Sequence, residues 1–243
     1  MKLLKSIFSF FWALWGCFWF AVVVTIFTIL YALLFTFTGK KYLRQCIWMN
    51  CHYLCPFLLK VCFIRFKVHG LENISPTQPY VVVANHCAQI DILISGASVN
   101  QPVRFLAKSE IKNIPFFGYM TKMLAIMVDR NSKESREKSV QYLREELAKG
   151  FSLLIYPEGT RNRTDQPLKE FKDGAFRIAI ETQMPIAVQT IVGATQLNNP
   201  KGLQLFPGTV SVYWSNPIET KGMSLDDLAT LKQRVQNEML KYL

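Results

Sequence analysis

The chain has 243 residues, half of them hydrophobic, and 28 Lys and Arg against 17 Asp and Glu give it a net charge of +11. That length supports one sizeable core, or one core with an accessory segment. No acid precedes Glu72, whereas Lys2, Lys5, Lys40, Lys41, Arg44, Lys60, Arg65 and Lys67 do, so +8 of the +11 lies in the greasiest third. A segment both basic and apolar suits an anionic membrane surface and argues against a nucleic-acid binder, which needs its cations and aromatics on a soluble face.

The first element is the uncharged run IFSFFWALWGCFWFAVVVTIFTILYALLFTF, Ile7 to Phe37. It exceeds the roughly 20 residues that a helix needs to span a bilayer. It is too long for a signal-peptide core and has no small-residue cleavage site. Both flanks are basic, so the positive-inside rule assigns no orientation, and the symmetry suits a re-entrant hairpin with both ends on one side. A second apolar segment, CIWMNCHYLCPFLLKVCFIRF (Cys46–Phe66), carries only Lys60 and Arg65, which can snorkel. It reads as an interfacial helix broken near Pro56. Residues 1–66 are thus expected to be a helical membrane-anchoring region, followed by an α/β domain over 67–243.

The cysteines are Cys17, Cys46, Cys51, Cys55, Cys62 and Cys87, with no CxxC pair. Cys51-His52 with Cys55 lacks the spacing of a metal site and sits among apolar residues, so packing is the expected role. No metal and no disulfide framework are expected, in keeping with a reducing compartment.

Six short runs rich in Val, Ile and aromatics follow: Pro79–Ala84, Val103–Ala107, Leu124–Val128, Phe151–Tyr156, Pro185–Val192 and Thr209–Trp214. They barely alternate, as strands covered on both faces do. Helical patterns lie between them. Asn131 to Glu134 reads as a capping box, and Val140, Leu143 and Leu147 share a face in a helix stopped at Gly150. Phe171–Gln183 is a second helix, ended near Pro185, and Ser224 caps a third that runs to Leu243. Strands alternating with helices predict an α/β sheet flanked by helices.

Two strand ends carry candidate chemistry. In VVVANHCAQIDILI (Val81–Ile94) the apolar run stops at Asn85-His86, with Asp91 following. A strand ending in a polar turn is where open α/β sheets bind ligands. His86 just outside a helix can fold its ring toward Asp91, leaving one nitrogen as a base. A lone H-x4-D is more often a satisfied histidine beside a helix-start aspartate. In LIYPEGTRNR (Leu154–Arg163) a second strand stops at Pro157 and opens a loop with Glu158, Gly159, Thr160, Arg161 and Arg163. Such a loop is an ordinary solvated turn or an anion site, since guanidiniums pair with phosphate and glycine admits close approach. Arg130, at the end of a further strand, is a third anion candidate.

Taken in order, NHCAQID, VRFLAKSEIKNIPFFG, Asp129-Arg130, YPEGTRNR, FKDGAFRIA and MPIAV resemble the motifs of the glycerolipid acyltransferases, the lysophosphatidic acid acyltransferase (PlsC-like) family. The resemblance covers roughly residues 70–215, and ordered motifs carry far more weight than one. It implies that His86 is the general base and Asp91 its orienter. It implies that Arg130, Glu158, Gly159, Thr160 and Arg161 bind the acyl acceptor, with the arginines on its phosphate, and that Lys108 stabilises charge near the reaction centre. The anchor resembles the family's membrane-embedded helices. Val188 replaces the usual second proline of the fourth motif, which is expected to shape the apolar acyl site.

The activity implied is transfer of a fatty acyl group from a thioester, on acyl carrier protein or coenzyme A, to the sn-2 hydroxyl of lysophosphatidic acid, at the cytoplasmic face of the cell membrane. No cofactor beyond the thioester co-substrate and no nucleic acid partner are expected. Cys87 as an acyl carrier lacks a base–nucleophile arrangement, and no G-x-S-x-G elbow is present. The rivals are an acyltransferase for another lysolipid, such as lyso-ornithine lipid, and a non-enzymatic protein that binds anionic lipids.

Overall fold

The computed structural model describes residues 2–128, 133–199 and 202–243. The uncharged run folds as one uninterrupted helix, α1 (Lys2–Thr38), whose 37 residues extend about 55 Å at 1.5 Å per residue. The run does not fold back on itself as a re-entrant hairpin. It contains no proline, and a single Gly16 costs a helix only about 1 kcal/mol. The chain reverses after the run instead, where Gly39 takes φ 58°, open to a residue without a Cβ.

Next come α2 (Leu43–Met49) and α3 (Cys55–Val61), joined by a π-helical turn over Asn50–Leu54. Pro56 does not break this helix. It sits in the first turn of α3, and the wider turn before it accommodates the missing N–H. One side of α1 is docked along the rest of the molecule, with Ser9, Ala13, Val23, Val24, Thr28 and Tyr31 buried. The indoles of Trp12 and Trp15 donate to the Cys62 and Val61 carbonyls at 3.1 and 2.9 Å, satisfying groups that the end of α3 leaves unpaired. The other side of α1 exposes Phe11, Phe18, Ile29 and Leu33.

Among the described residues seven strands form one sheet: β1 (Ile64–His69), β2 (Val81–Ala84), β3 (Val103–Lys108), β4 (Ile126–Val128), β5 (Ser152–Ile155), β6 (Ile186–Val192) and β7 (Gly208–Trp214). Their order is β1-β7-β6-β2-β5-β3-β4, parallel throughout except for the β6–β7 pair. Six are the runs expected from sequence. The seventh, β1, is an edge strand that alternates buried and accessible residues, so Arg65 and Lys67 interrupt its apolar pattern.

The strand period of two sorts the core into two layers. Val82, Leu154 and Ala187 face Ala13 of α1, Leu59 of α3 and Ile94 of α4 (Asp91–Ala97). Val81, Val83, Leu153, Ile155, Ile186 and Val188 face α6 (Lys133–Ala148), α7 (Gly174–Thr182) and α9 (Leu228–Leu240). Two short elements complete the chain, α5 (Phe117–Leu124) before β4 and α8 (Ala194–Leu197) after β6. Gly150 follows α6 with φ 79°, and Ser224 makes a capping box with Asp227 ahead of α9, both as the sequence predicts. From β2 the chain crosses to β3 on one side, and from β5 it crosses to β6 on the other. The C-terminal ends of β2 and β5 therefore meet where the winding changes direction, the crevice in which such sheets bind ligands.

Candidate active site

β2 and β5 run in register, with Val83 opposite Ile155, so Asn85-His86 and Pro157-Glu158 leave the sheet side by side. Asn85 extends the sheet with its side chain. Its amide donates to the Ile191 carbonyl at 2.9 Å and accepts from the Ile191 N–H at 2.7 Å. That pairing pins the chain to β6 at the point where His86 turns out.

His86 Nδ1 lies 2.9 Å from Asp91 Oδ2. The same oxygen accepts the backbone N–H groups of Cys87 and Ala88, each at 2.6 Å. The H-x4-D spacing thus does not place two side chains on one helix face. It wraps a turn around a carboxylate at the first residue of α4. Asp91 is only 1% exposed, and a buried carboxylate needs such donors. Bonded to Asp91, the ring carries its proton on Nδ1 and leaves Nε2 as the free nitrogen. The ring also stacks on Tyr156, centroids 4.2 Å apart and planes 20° from parallel. Tyr156 is tied in turn, its hydroxyl donating to Ser95 Oγ at 3.1 Å.

The β5 loop holds the backbone of His86 from the other side. Glu158 Oε1 accepts the His86 N–H at 2.8 Å, and Oε2 accepts the Lys169 N–H at 3.0 Å. The Asn162 N–H donates to the His86 carbonyl at 2.6 Å. Glu158, expected on the acceptor, is 2% exposed, and its carboxylate serves the two backbone donors. Burial pushes that carboxyl above the usual range, and the His86 and Lys169 N–H groups draw it partly back. Burial, then the nearby Asp91 and Glu158 carboxylates, push the Cys87 thiol up to about 12, so it is no nucleophile at neutral pH.

A cavity of about 1120 Å³ opens at these strand ends. Its mouth is polar and cationic, with His86, Lys108, Gly159, Thr160, Arg161 and Lys169. Its body is apolar and passes between α1, α3 and α5, along Phe20, Val24, Leu58, Met120 and Leu124. Gly159 takes φ 73° in the tight turn after Pro157. One Arg161 amino group is buried with no hydrogen-bond partner among the described residues. Lys169, which the sequence did not single out, donates to Thr160 Oγ1 at 2.8 Å. Its only signal was a further base in the same polar loop; Asn85 and Asn162 gave none, because their partners are far away in the chain. Arg130 lies outside the described residues, as does Asn131, the cap expected for α6. Val188 is fully buried in β6 on the side of α7 and α9, away from the cavity. The apolar space is shaped by the N-terminal helices and not by the fourth motif. No group of three or more His, Cys, Asp or Glu among the described residues is placed to hold a metal ion.

A family model described as Acyltransferase matches residues 65–192, just over half of the chain. The 1-acyl-sn-glycerol-3-phosphate acyltransferase of Saccharomyces cerevisiae is 28% identical over 232 residues, covering 94% of this chain and 73% of that protein. Its namesake from Helicobacter pylori is 28% identical over 184 residues, 74% of this chain and 78% of that one. The alpha form from Mus musculus reaches 32% over 183 residues, 73% and 63% of the two chains. In fold the chain matches the crystal structure of the 1-acyl-sn-glycerophosphate acyltransferase PlsC from Thermotoga maritima, with a TM-score of 0.78 at 24% identity over 98% of this chain and 96% of that one. The family model begins in β1 and ends with β6, so it spans every strand end that borders the cavity. This chain belongs to the acyltransferase family whose members include the 1-acyl-sn-glycerol-3-phosphate acyltransferases.

Proposed function

We propose that the chain is a membrane-bound enzyme that moves a fatty acyl group from a thioester, on acyl carrier protein or coenzyme A, to the sn-2 hydroxyl of lysophosphatidic acid, giving phosphatidic acid. One observation carries the reading: an Asp91-held histidine lines a single cavity that is cationic at its mouth and apolar within.

His86 Nε2 takes the proton of the acceptor hydroxyl, a contribution typically of about 10²–10⁴-fold. The hydroxyl oxygen attacks the thioester carbonyl carbon, and the carbonyl becomes an oxyanion near the Lys108 ammonium. The C–S bond breaks as the carbonyl re-forms, and the imidazolium returns the proton to the leaving thiolate. Asp91 holds the ring and stabilises its charged form. Arg161 fits the acceptor's phosphate, because its buried amino group has no hydrogen-bond partner among the described residues and guanidinium pairs well with phosphate. Gly159 and Thr160 bring the loop close, and the acyl chain follows the apolar body of the cavity.

The membrane is assigned through α1, and its cytoplasmic face because thioester donors are made in the cytoplasm. The helix is long and apolar enough to cross a bilayer, but it is docked from Ser9 to Tyr31, about 33 Å at 1.5 Å per residue. We therefore set the lipid against its outer face. The test is acyl transfer by membranes carrying wild type or His86→Ala, offered lysophosphatidic acid and other lysolipids with both donors. Transfer to lysophosphatidic acid that falls at least about 100-fold in the variant is expected. Transfer confined to another lysolipid, such as lyso-ornithine lipid, would change the substrate. No His86-dependent transfer at all would leave a lipid-binding protein.

A further inference from the structure

Between β3 and α5 the chain presents apolar side chains where a water-facing surface has little use for them. Ile114, Phe116 and Tyr119 are 49%, 52% and 51% exposed. Phe116 has φ 55° and ψ −56°, and the Phe117 N–H donates to the Pro115 carbonyl at 2.6 Å. That is the rare γ-turn of positive φ, strained for a residue with a Cβ. Strain of this kind persists only where the surroundings enforce it. Here the Gly118 N–H donates to the Ile114 carbonyl at 2.7 Å, and a Cβ on Gly118 would lie 2.5 Å from the carbonyl oxygens of Ile111 and Lys112. The Thr28 hydroxyl on α1 donates to the Phe116 carbonyl at 3.3 Å. The enforced turn splits two neighbouring rings. Phe117 points inward, 5.4 Å from Phe20 and into the cavity wall, while Phe116 points out.

The surroundings of Phe116 name its partner. Exposed Lys108, Lys112 and Lys122 flank the patch, and Glu110 is the only acid between Lys108 and Lys122. α1, whose Thr28 bonds Phe116, also exposes Ile26, Ile29 and Leu30. Aromatic and aliphatic side chains ringed by lysine suit the boundary between headgroups and acyl chains of an anionic bilayer. We propose that Ile114, Phe116 and Tyr119 form a second membrane contact, a wedge that enters an anionic bilayer beside α1 and sets the rim of the cavity at lipid level. This rests on the reading of α1 as lipid-facing. Phe117, Met120 and Thr121 line the cavity directly behind the wedge, so one short segment carries both the exposed patch and part of the cavity wall.

The test uses the full chain in vesicles of phosphatidylcholine and phosphatidylglycerol. A spin label is placed at Phe116→Cys in a Cys17→Ser background, with Ala229→Cys on the exposed side of α9 as the control. The expected result is that oxygen relaxes the label at 116 more strongly than a water-soluble nickel complex does, with the reverse at 229. Preference for the nickel complex at both positions overturns the wedge. A second arm compares Ile114→Asp/Phe116→Asp with wild type on a bilayer-embedded lysolipid and on a short-chain, water-soluble one. KM is expected to rise about tenfold for the embedded acceptor alone. An equal loss on both acceptors, or none on either, also overturns it. If wild type acylates neither acceptor, the acyltransferase reading fails, and the spin label still decides the wedge.

Discussion

The two faces of the sheet bury the same kind of strand in opposite ways. On one face α6, α7 and α9 close over the strands, and Phe176, Leu231 and Val235 lose all contact with solvent. On the other, α4 packs down, while α1, α3 and α5 stand off far enough to leave the cavity. A face packed to interior density makes a stiff plate. The open face gives up dispersion contacts along the cavity wall and gains a place for a long apolar ligand. The polar machinery lies where the two regimes meet, at the strand ends.

The comparison is tested most severely at that boundary. Asp91→Asn keeps an acceptor for the turn but removes the charge that orients His86, and kcat should fall about 10³-fold with the circular dichroism spectrum unchanged. An unaltered kcat would remove Asp91 from the proposed chemistry. The faces themselves are separated by two truncations. Leu231→Ala on the packed face should cost about 3 kcal/mol in chemical denaturation and leave the preferred acyl length alone. Met120→Ala on the cavity wall should cost about 1 kcal/mol, because that side chain already borders empty space, and should favour longer chains. Equal costs and equal preferences would erase the distinction. A smaller effect is expected at Tyr156. Removal of the ring under His86 by Tyr156→Leu should lower kcat about tenfold, while Tyr156→Phe, which keeps the stack, should stay within about twofold.

The smallest effect is a slope. Burial alone would raise the Glu146 carboxyl, but hydrogen bonds from Lys149 and from the buried Arg104 outweigh it and hold the carboxyl below its ordinary value. A depressed carboxyl stabilises the fold above its unfolded value, about 4.3, and that contribution is lost as pH falls through the folded one. Wild type should therefore exceed Glu146→Gln in Tm at pH 7, and the two curves should converge as pH falls below the unfolded value. Parallel curves would show that Glu146 is not held ionised in the folded protein.

How much was legible depended on how local the physics is. Six strands announce themselves through runs of Val and Ile, because a strand covered on both faces needs nothing else. β1 hid behind Arg65 and Lys67, since an edge strand with one accessible side alternates. α5 was not foreseen, since Pro115 and Gly118 are helix breakers by composition yet form its close-packed start. His86 and Asp91 lie five residues apart, so their bond could be foreseen. The task of Glu158 could not be. Its partners are the backbone N–H groups of His86, 72 residues away, and of Lys169, and backbone donors leave no mark on a sequence. The fourth motif was expected to shape the acyl site, yet Val188 faces α7 and α9, because a short motif does not state which parity of the strand faces the ligand.

The place of β5 in the sheet bears on how the chain is made. β2 and β3 are synthesised in succession, yet β5 stands between them and β6 lies on the far side of β2. A nascent chain that has emerged only as far as β4 carries β2 with both edges unpaired. Parallel pairing over such separations is slow and leaves edges open to other chains. The backbone of His86 also waits for Glu158 and Asn162, which come after β5. The frame of the site thus cannot close until the chain has emerged past Asn162 and Lys169. A ribosome that stops short of Glu158 releases a chain with the whole H-x4-D motif and without the frame that steadies it.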